Sequence, residues 1–312
     1  MWAWRDGYPA DVKNGARIGP LLRDWRQRRR LSQLDLALAA DSSARHVSYL
    51  ENGRAAPSRA MVLRLCEALD VPLRERNTLL LAAGFAPAYR ESSLDDAELT
   101  AVRSAVATML AAHEPYPAVV VDRWWNVVTG NSAMSVLTAG VPEHLLTPRP
   151  NVYRLVLHPD GLVARLANPT QVRELFLERL GRQADATGDE RLRALYDEVL
   201  GYPAPSDPAA DRAAPTGPFQ VPVRIRTPLG EMAMFSTMAT FGAPADVTLS
   251  ELAIELFYPL DEFTAAALRQ QRGDATVKGS AGNDSDRTES GADAADGVDG
   301  GEDHVDRREE RR

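Results

Sequence analysis

The sequence predicts an all-α head of five short helices, an α+β domain behind it and a disordered acidic tail. Three observations carry this. Between residues 18 and 83, apolar side chains recur at helical spacing in five short blocks separated by capping and turn residues. After residue 116, blocks with the continuous or alternating apolar pattern of strands appear. Residues 271–312 are rich in Gly, Asp, Ala, Ser and Glu with almost no large apolar side chain. Such a segment buries too little surface to offset the entropy of ordering it. A length of 312 residues suits two domains.

Residues 1–16 are read as a flexible N-terminus. Ile18, Leu21, Leu22 and Trp25 then follow the i, i+3, i+4, i+7 spacing of a half-buried helix, and the run Arg26, Arg28, Arg29, Arg30 ends it. Ser32 and Asp35 make a capping box for a second helix, expected to bury Leu34, Ala37 and Leu38. Ala40, Asp41 and Ser42 form the turn. Ser43 caps a third helix with Val47 and Leu50 inward, and Asn52-Gly53 stops it. Pro57-Ser58 starts a fourth helix with Val62, Leu65, Cys66 and Leu69 on one face. Pro72 opens a fifth, carrying Leu79, Leu80 and Ala83, which Gly84 ends.

A three- to four-residue turn between the second and third of five short helices is a helix-turn-helix pattern. In such a unit the third helix enters the major groove of double-stranded DNA, N-terminal half toward the bases. The candidate contact set is Gln33, Ser43, Ala44, Arg45, His46, Ser48, Tyr49 and Arg54. Arg45 offers a bidentate pair to guanine O6 and N7. Gln33, at a helix N-terminus, and Arg54 suit phosphates. Glu51 reads as a structural hydrogen-bond partner or a helix-end residue, not a base reader, and the run from Arg28 to Arg30 leaves open a plain solvated face. Charge agrees with this reading. Residues 1–90 hold 15 Lys/Arg against 9 Asp/Glu, residues 91–270 hold 14 against 23, and residues 271–312 hold 7 against 12, so a net charge of −8 hides a basic head on an acidic body.

Ser32-Gln33, Arg45-His46 and Leu50-Glu51-Asn52-Gly53-Arg54 lie in a stretch, residues 17–89, that resembles the Cro/cI-type, or XRE-type, helix-turn-helix domain of bacterial and phage repressors. Members of that family usually carry Gly and an aliphatic residue where this chain has Asp41 and Ser42. The turn is therefore expected to be weakened but present, since Asp tolerates the left-handed conformation.

Residues 90–112 are read as a linker helix. Leu99, Val102, Val106 and Met109 form a stripe on it, which either packs on its own domain or makes a dimer seam or signalling helix. In residues 113–270, Pro117 to Asp122 reads as a buried strand and Arg123 to Val128 as a second after a tight turn. Helical segments follow at about 131–139, 152–157, 170–186 and 189–200, then a loop over 201–217. Three strands close the domain: Val221 to Arg226, Glu231 to Phe241 and Leu252 to Tyr258. Pro222 indicates an edge or a strand start. This order fits an α+β sensor of the PAS kind. Pro117 to Val127 with Asn131, then Asn151-Val152-Tyr153-Arg154 through His158-Pro159-Asp160-Gly161, resemble the MmyB-type ligand-binding domain, a PAS-like domain that follows an XRE-type head. The resemblance implies a small, lipid- or fatty-acid-like ligand. The residues themselves leave two readings of Met232, Met234, Met238, Phe176 and Leu180: contacts for that ligand, or plain core.

Other functions find little support. No apolar run reaches the roughly 18–20 residues of a membrane span, and no secretory signal is expected. One cysteine, Cys66, allows neither an internal disulfide nor a Cys-based zinc site. No P-loop, GxSxG or HExxH motif occurs. His113, His144, His158 and Asp160 stand at no spacing typical of a triad or a metal site. The expectation is a cytoplasmic, non-enzymatic transcription regulator without cofactor, acting as a homodimer on a pseudo-palindromic operator. The alternatives are an antitoxin-like protein whose second domain binds a protein partner, and an enzyme fused to a DNA-binding head.

Overall fold

The computed structural model describes residues 18–93, 96–205 and 221–281. The segment 1–16 read as a flexible N-terminus, most of the loop over 201–217 and the tail beyond 281 lie outside the described residues.

The head comprises α1 (Ile18–Arg28), α2 (Gln33–Ala39), α3 (Ala44–Glu51), α4 (Arg59–Ala68) and α5 (Leu73–Ala82). Local chemistry sets the boundaries. The hydroxyls of Ser32, Ser43 and Ser58 accept from the N–H groups of Asp35, His46 and Met61, and Ser32 with Asp35 closes the full capping box. Asp41 takes the left-handed conformation in the turn at φ +48°, and Gly53 does so after α3 at φ +68°. Leu22, Trp25, Leu36, Val47, Leu50, Val62, Leu65, Leu69, Leu79 and Leu80 fill one core. Cys66 lies in it, its thiol pushed up to about 11 by burial.

Helix α2 differs from expectation. It buries Leu36, Ala37 and, just past its end, Ala40, while Leu34 and Leu38 are 57% and 72% exposed. The segment Leu34 to Ala40 is apolar at every position except Asp35, so two faces satisfy helical periodicity equally well. Packing against α3 and α4 selects the face with the smaller side chains.

The second domain contains α6 (Thr100–Ala112), β1 (Ala118–Val121), β2 (Val127–Gly130), α7 (Ser135–Thr138), α8 (Glu143–Leu146), α9 (Val152–Leu157), α10 (Pro169–Thr187), α11 (Glu190–Leu200), β3 (Val223–Thr227), β4 (Gly230–Thr240), α12 (Val247–Ser250), β5 (Ala253–Pro259) and α13 (Glu262–Ala281). The strands form one antiparallel sheet in the order β2-β1-β5-β4-β3, with β3, next to Pro222, at an edge. Alternation divides the sheet's faces. Val119, Val121, Met232, Met234 and Phe257 point into a core shared with α9, α10 and α11. Ala118, Val120 and Ile254 face Val106 and Leu110 of α6.

Three sequence expectations change. The stripe packs on its own domain: Val106 is buried against the sheet with Val102 beside it and Leu99 is buried just ahead of α6, but Leu110 takes the inward place assigned to Met109, which is exposed. The second strand begins at Val127, because Asp122 to Asn126 are the turn. The Asp122 carboxylate accepts from the N–H groups of Trp124 and Asn126. Helix α13 was not foreseen. It runs through residues 271–281, read from sequence as tail, and its first turns bury Ala265, Ala267 and Leu268.

Candidate functional site

Helix α3 carries most of the residues expected to contact DNA. Arg45 is exposed, its Nε donating to the Tyr49 hydroxyl at 3.0 Å and its guanidinium lying over the Tyr49 ring. Reading a guanine therefore requires Arg45 to leave its own helix. His46, Ser48 and Tyr49 are half-buried, Ser43 and Arg54 exposed. Ser43 is committed to its cap, and Asn52 Nδ2 donates to the Ser48 carbonyl at 2.8 Å and more loosely to its hydroxyl at 3.4 Å. Ala44 packs partly against the head core and is less outward than the sequence reading placed it.

Gln33 opens α2 but is not free. Its Nε2 donates to Glu51 Oε2 at 2.9 Å, which orients the amide beside the α2 N-terminus. The Glu51 side chain is fully buried and takes both arms of the Arg26 guanidinium at 2.6 and 3.0 Å, with Arg23 at 3.5 Å. Burial alone would raise this carboxyl. The bonds from Arg26, Gln33 and Arg23 outweigh it and hold the group below its ordinary value. Glu51 thus ties α1 and α2 to the end of α3. The neighbouring arginines are structural too. Arg29 donates to the carbonyls of Leu69 and Asp70 at the end of α4, and Arg28 to that of Thr187 in the second domain.

The two domains meet at a charged seam. Arg123 donates to Glu75 of α5 at 3.0 Å, to Asp189 at 2.6 Å and to Glu251 at 2.8 Å. Arg74 of α5 adds a bidentate pair to Glu251 at 2.7 and 2.9 Å. Burial would lower Arg123 and Arg74, but the surrounding carboxylates keep both above the ordinary arginine value. A cleft of about 280 Å³ opens beside the seam, lined by Trp25, Arg28, Arg123 and Asp189 among others. Glu75 Oε2 is buried there without a hydrogen-bond partner among the described residues.

Behind the seam lies the core of the second domain. Leu180, Met232 and Met234 are completely buried, and Phe176 is half-buried against them. Met238 is 38% exposed and contacts Arg179, so it stands apart from the other two methionines. Sequence reasoning missed the polar side chains among them. The Tyr153 ring meets Trp125 and Phe176 edge-on, while its hydroxyl is buried with no hydrogen-bond partner among the described residues and held up by burial. Glu255 faces the same side of the sheet, bonded by the Ser236 hydroxyl; burial raises its carboxyl. Arg179 lies over the Trp125 ring at 4.3 Å.

Trp125 adopts φ +66°, a costly conformation for a bulky residue, within the turn that carries Arg123. Its indole N–H donates to Gln183 at 2.7 Å. Arg123 and Trp125, two residues apart, thus face the head and the core of the second domain respectively.

Among the described residues no helix is long and apolar enough to cross a membrane. No curated protein matches the chain. Two family models do: a helix-turn-helix domain matches residues 17–79, and the MmyB-like transcription regulator ligand binding domain matches residues 102–270, taking in α6 as well as the sheet. The second match spans more than half of the sequence, and the chain belongs to that family: it is a DNA-binding transcription regulator with a helix-turn-helix head and an MmyB-like ligand-binding domain.

Proposed function

We propose that this regulator reads its operator through α3 and adjusts that reading to a small, largely apolar, fatty-acid-like ligand held between the sheet and helices α9 to α11. The observation that carries the coupling is the Arg123–Trp125 turn. A ligand that moves Trp125 or Tyr153 also moves the residue holding the head. Met232 and Met234 can rotate to admit an apolar chain, because unbranched thioethers adapt to irregular shapes. The unpartnered Tyr153 hydroxyl supplies a polar anchor in an otherwise apolar wall. The regulator works without a catalytic step, in the cytoplasm, as a homodimer on two half-sites about one helical turn, ~34 Å, apart. The dimer reading rests on the short half-site of a single head and draws no support from α6, whose apolar face packs on its own sheet.

Native mass spectrometry of the purified chain tests the ligand: a co-purified small lipid is expected, and tight capture of a protein partner instead would favour the antitoxin-like alternative. Tyr153→Phe separates anchor from core. An unpaired buried hydroxyl costs about 1–3 kcal/mol, so the ligand-free variant is expected to melt at the same temperature or higher while binding the lipid more weakly. Unchanged lipid binding would remove Tyr153 from the site.

On the DNA side, Arg45→Ala is expected to cost about 1–3 kcal/mol at the operator and to relax discrimination at one base pair in each half-site. Gln33→Ala should weaken all sequences alike, because a phosphate contact carries no base information. Competition against point-mutated operators distinguishes these. Equal loss on every operator for Arg45→Ala would reassign the reading residue, and protection of a single half-site in footprints would exclude the dimer.

A further inference from the structure

We propose that His144, His158 and Asp160 form a binding site for a divalent cation of the zinc class, on the outer side of the second domain where α8 meets the turn after α9. This goes beyond the reading above and does not depend on it. Residues 144 and 158 are too far apart in sequence to suggest a motif, but the fold closes the gap. One candidate ligand atom from each of the three side chains lies within 4.8 Å of the other two. The two imidazole centroids are 5.5 Å apart, and His158 Nδ1 is 3.8 Å from Asp160 Oδ2.

The donor set suits the ion. Two imidazole nitrogens and one carboxylate oxygen, with water in the fourth place, match the open tetrahedral zinc arrangement with bonds of roughly 2.0–2.2 Å. Bonds of that length place donors about 3.4 Å apart, so the groups must close by an ångström or so. His144 and Asp160 are exposed and free to make that rotation. His158 is the fixed member. Its Nδ1 accepts from the Asp160 N–H at 3.1 Å, and its ring lies edge-on to Tyr202. A cation at Nδ1 takes over that lone pair, exchanging one hydrogen bond for a coordinate bond and leaving Nε2 protonated.

The scaffold beneath is rigid. Asn151 caps α9, and Tyr153, Leu155 and Leu157 anchor it in the core. Gly161 closes the turn by donating to the His158 carbonyl at 2.8 Å. A Cβ at Gly161 would come within 2.3 Å of the Leu155 carbonyl oxygen, so only glycine permits this approach. Behind His158, the Tyr202 hydroxyl donates to Glu198, which pairs with Arg154 through both oxygens. These bonds hold the ring's surroundings in place, as outer contacts commonly do at metal sites.

The test uses the full chain, stripped with EDTA and titrated calorimetrically with zinc chloride, with cobalt(II) chloride as a spectroscopic probe and magnesium chloride as control. The expected result is one zinc ion per chain at micromolar affinity, intense cobalt d–d bands of a four-coordinate site, and no magnesium binding. His144→Ala and Asp160→Asn, both at exposed positions, should each weaken zinc binding about tenfold or more without changing the melting curve of the metal-free protein. No saturable zinc binding, or zinc binding that survives both substitutions together, overturns the site. Because His158 is partly packed, its alanine variant is read only alongside these two.

Discussion

Replacing Glu51 by alanine is expected to remove about 3–5 kcal/mol of stability from the head, the usual cost of taking one partner from a buried ion pair. That is a large share of the roughly 5–15 kcal/mol available to a domain. The carboxylate is fully enclosed, and its loss strands Arg26, whose side chain is only 12% exposed. Among the described residues Arg26 keeps a single other acceptor, the Leu31 carbonyl. Glu51→Gln should cost less, since the amide still accepts hydrogen bonds, but it gives up the charge. Urea unfolding of the full chain, followed by circular dichroism, measures both. A loss below about 1 kcal/mol for Glu51→Ala, the scale of an exposed pair, would show that the pair is not buried as described. The same carboxylate makes the head sensitive to acid. Its pKa is lower folded than unfolded, so its contribution is complete above the ordinary Glu value, about 4.3. The contribution is lost as pH falls through the folded value. Glu51→Gln should flatten that acid limb.

Much of the head was legible because its signals are local. Ser32 with Asp35, Ser43 and Ser58 each act within three residues, and Gly53 ends α3 through its own backbone. Where the signal was degenerate the reading slipped, as on α2, whose nearly continuous apolar run cannot say which face is buried. Glu51 could be recognised as structural, but not that Arg26, 25 residues earlier, would meet it. Nor could Arg29 be seen as the partner of carbonyls 40 and 41 residues away.

The strands of the second domain were legible from continuous or alternating apolar runs, and their errors fall at ends. Residues 123–126 look apolar enough for a strand. Only Asp122, folding its carboxylate onto two following N–H groups, turns them into a bend. The candidate ligand contacts were named from spacing alone. Spacing placed Met232 and Met234 on one face but gave no hint of Tyr153 or Glu255, since a buried polar group is invisible until the fold encloses it. The seam between domains was illegible for the same reason: its charges come from positions 74, 75, 123, 189 and 251.

Arg123→Ala is expected to uncouple that seam. The arginine is 15% exposed and faces carboxylates at Glu75, Asp189 and Glu251. Two of them have other donors. Glu251 keeps Arg74, and Asp189 keeps the Trp124 indole and the N–H groups opening α11. Glu75 is left with no hydrogen-bond donor among those described, and it belongs to the head. The expected cost, roughly 2–3 kcal/mol, therefore lies below that of a fully enclosed pair and falls on the contact between domains, not on either core. Calorimetry should show one unfolding transition in the parent chain and two in the variant, the first belonging to the head. Arg123→Lys should recover little, because a point charge cannot span three carboxylates as a planar fork does. The functional consequence follows from linkage. If ligand and operator communicate through this turn, the ligand shifts operator affinity by about 5–150-fold in the parent chain and by almost nothing in Arg123→Ala, while Trp125 still reports ligand binding by fluorescence. A variant that keeps both a single transition and the full ligand effect would place the coupling elsewhere.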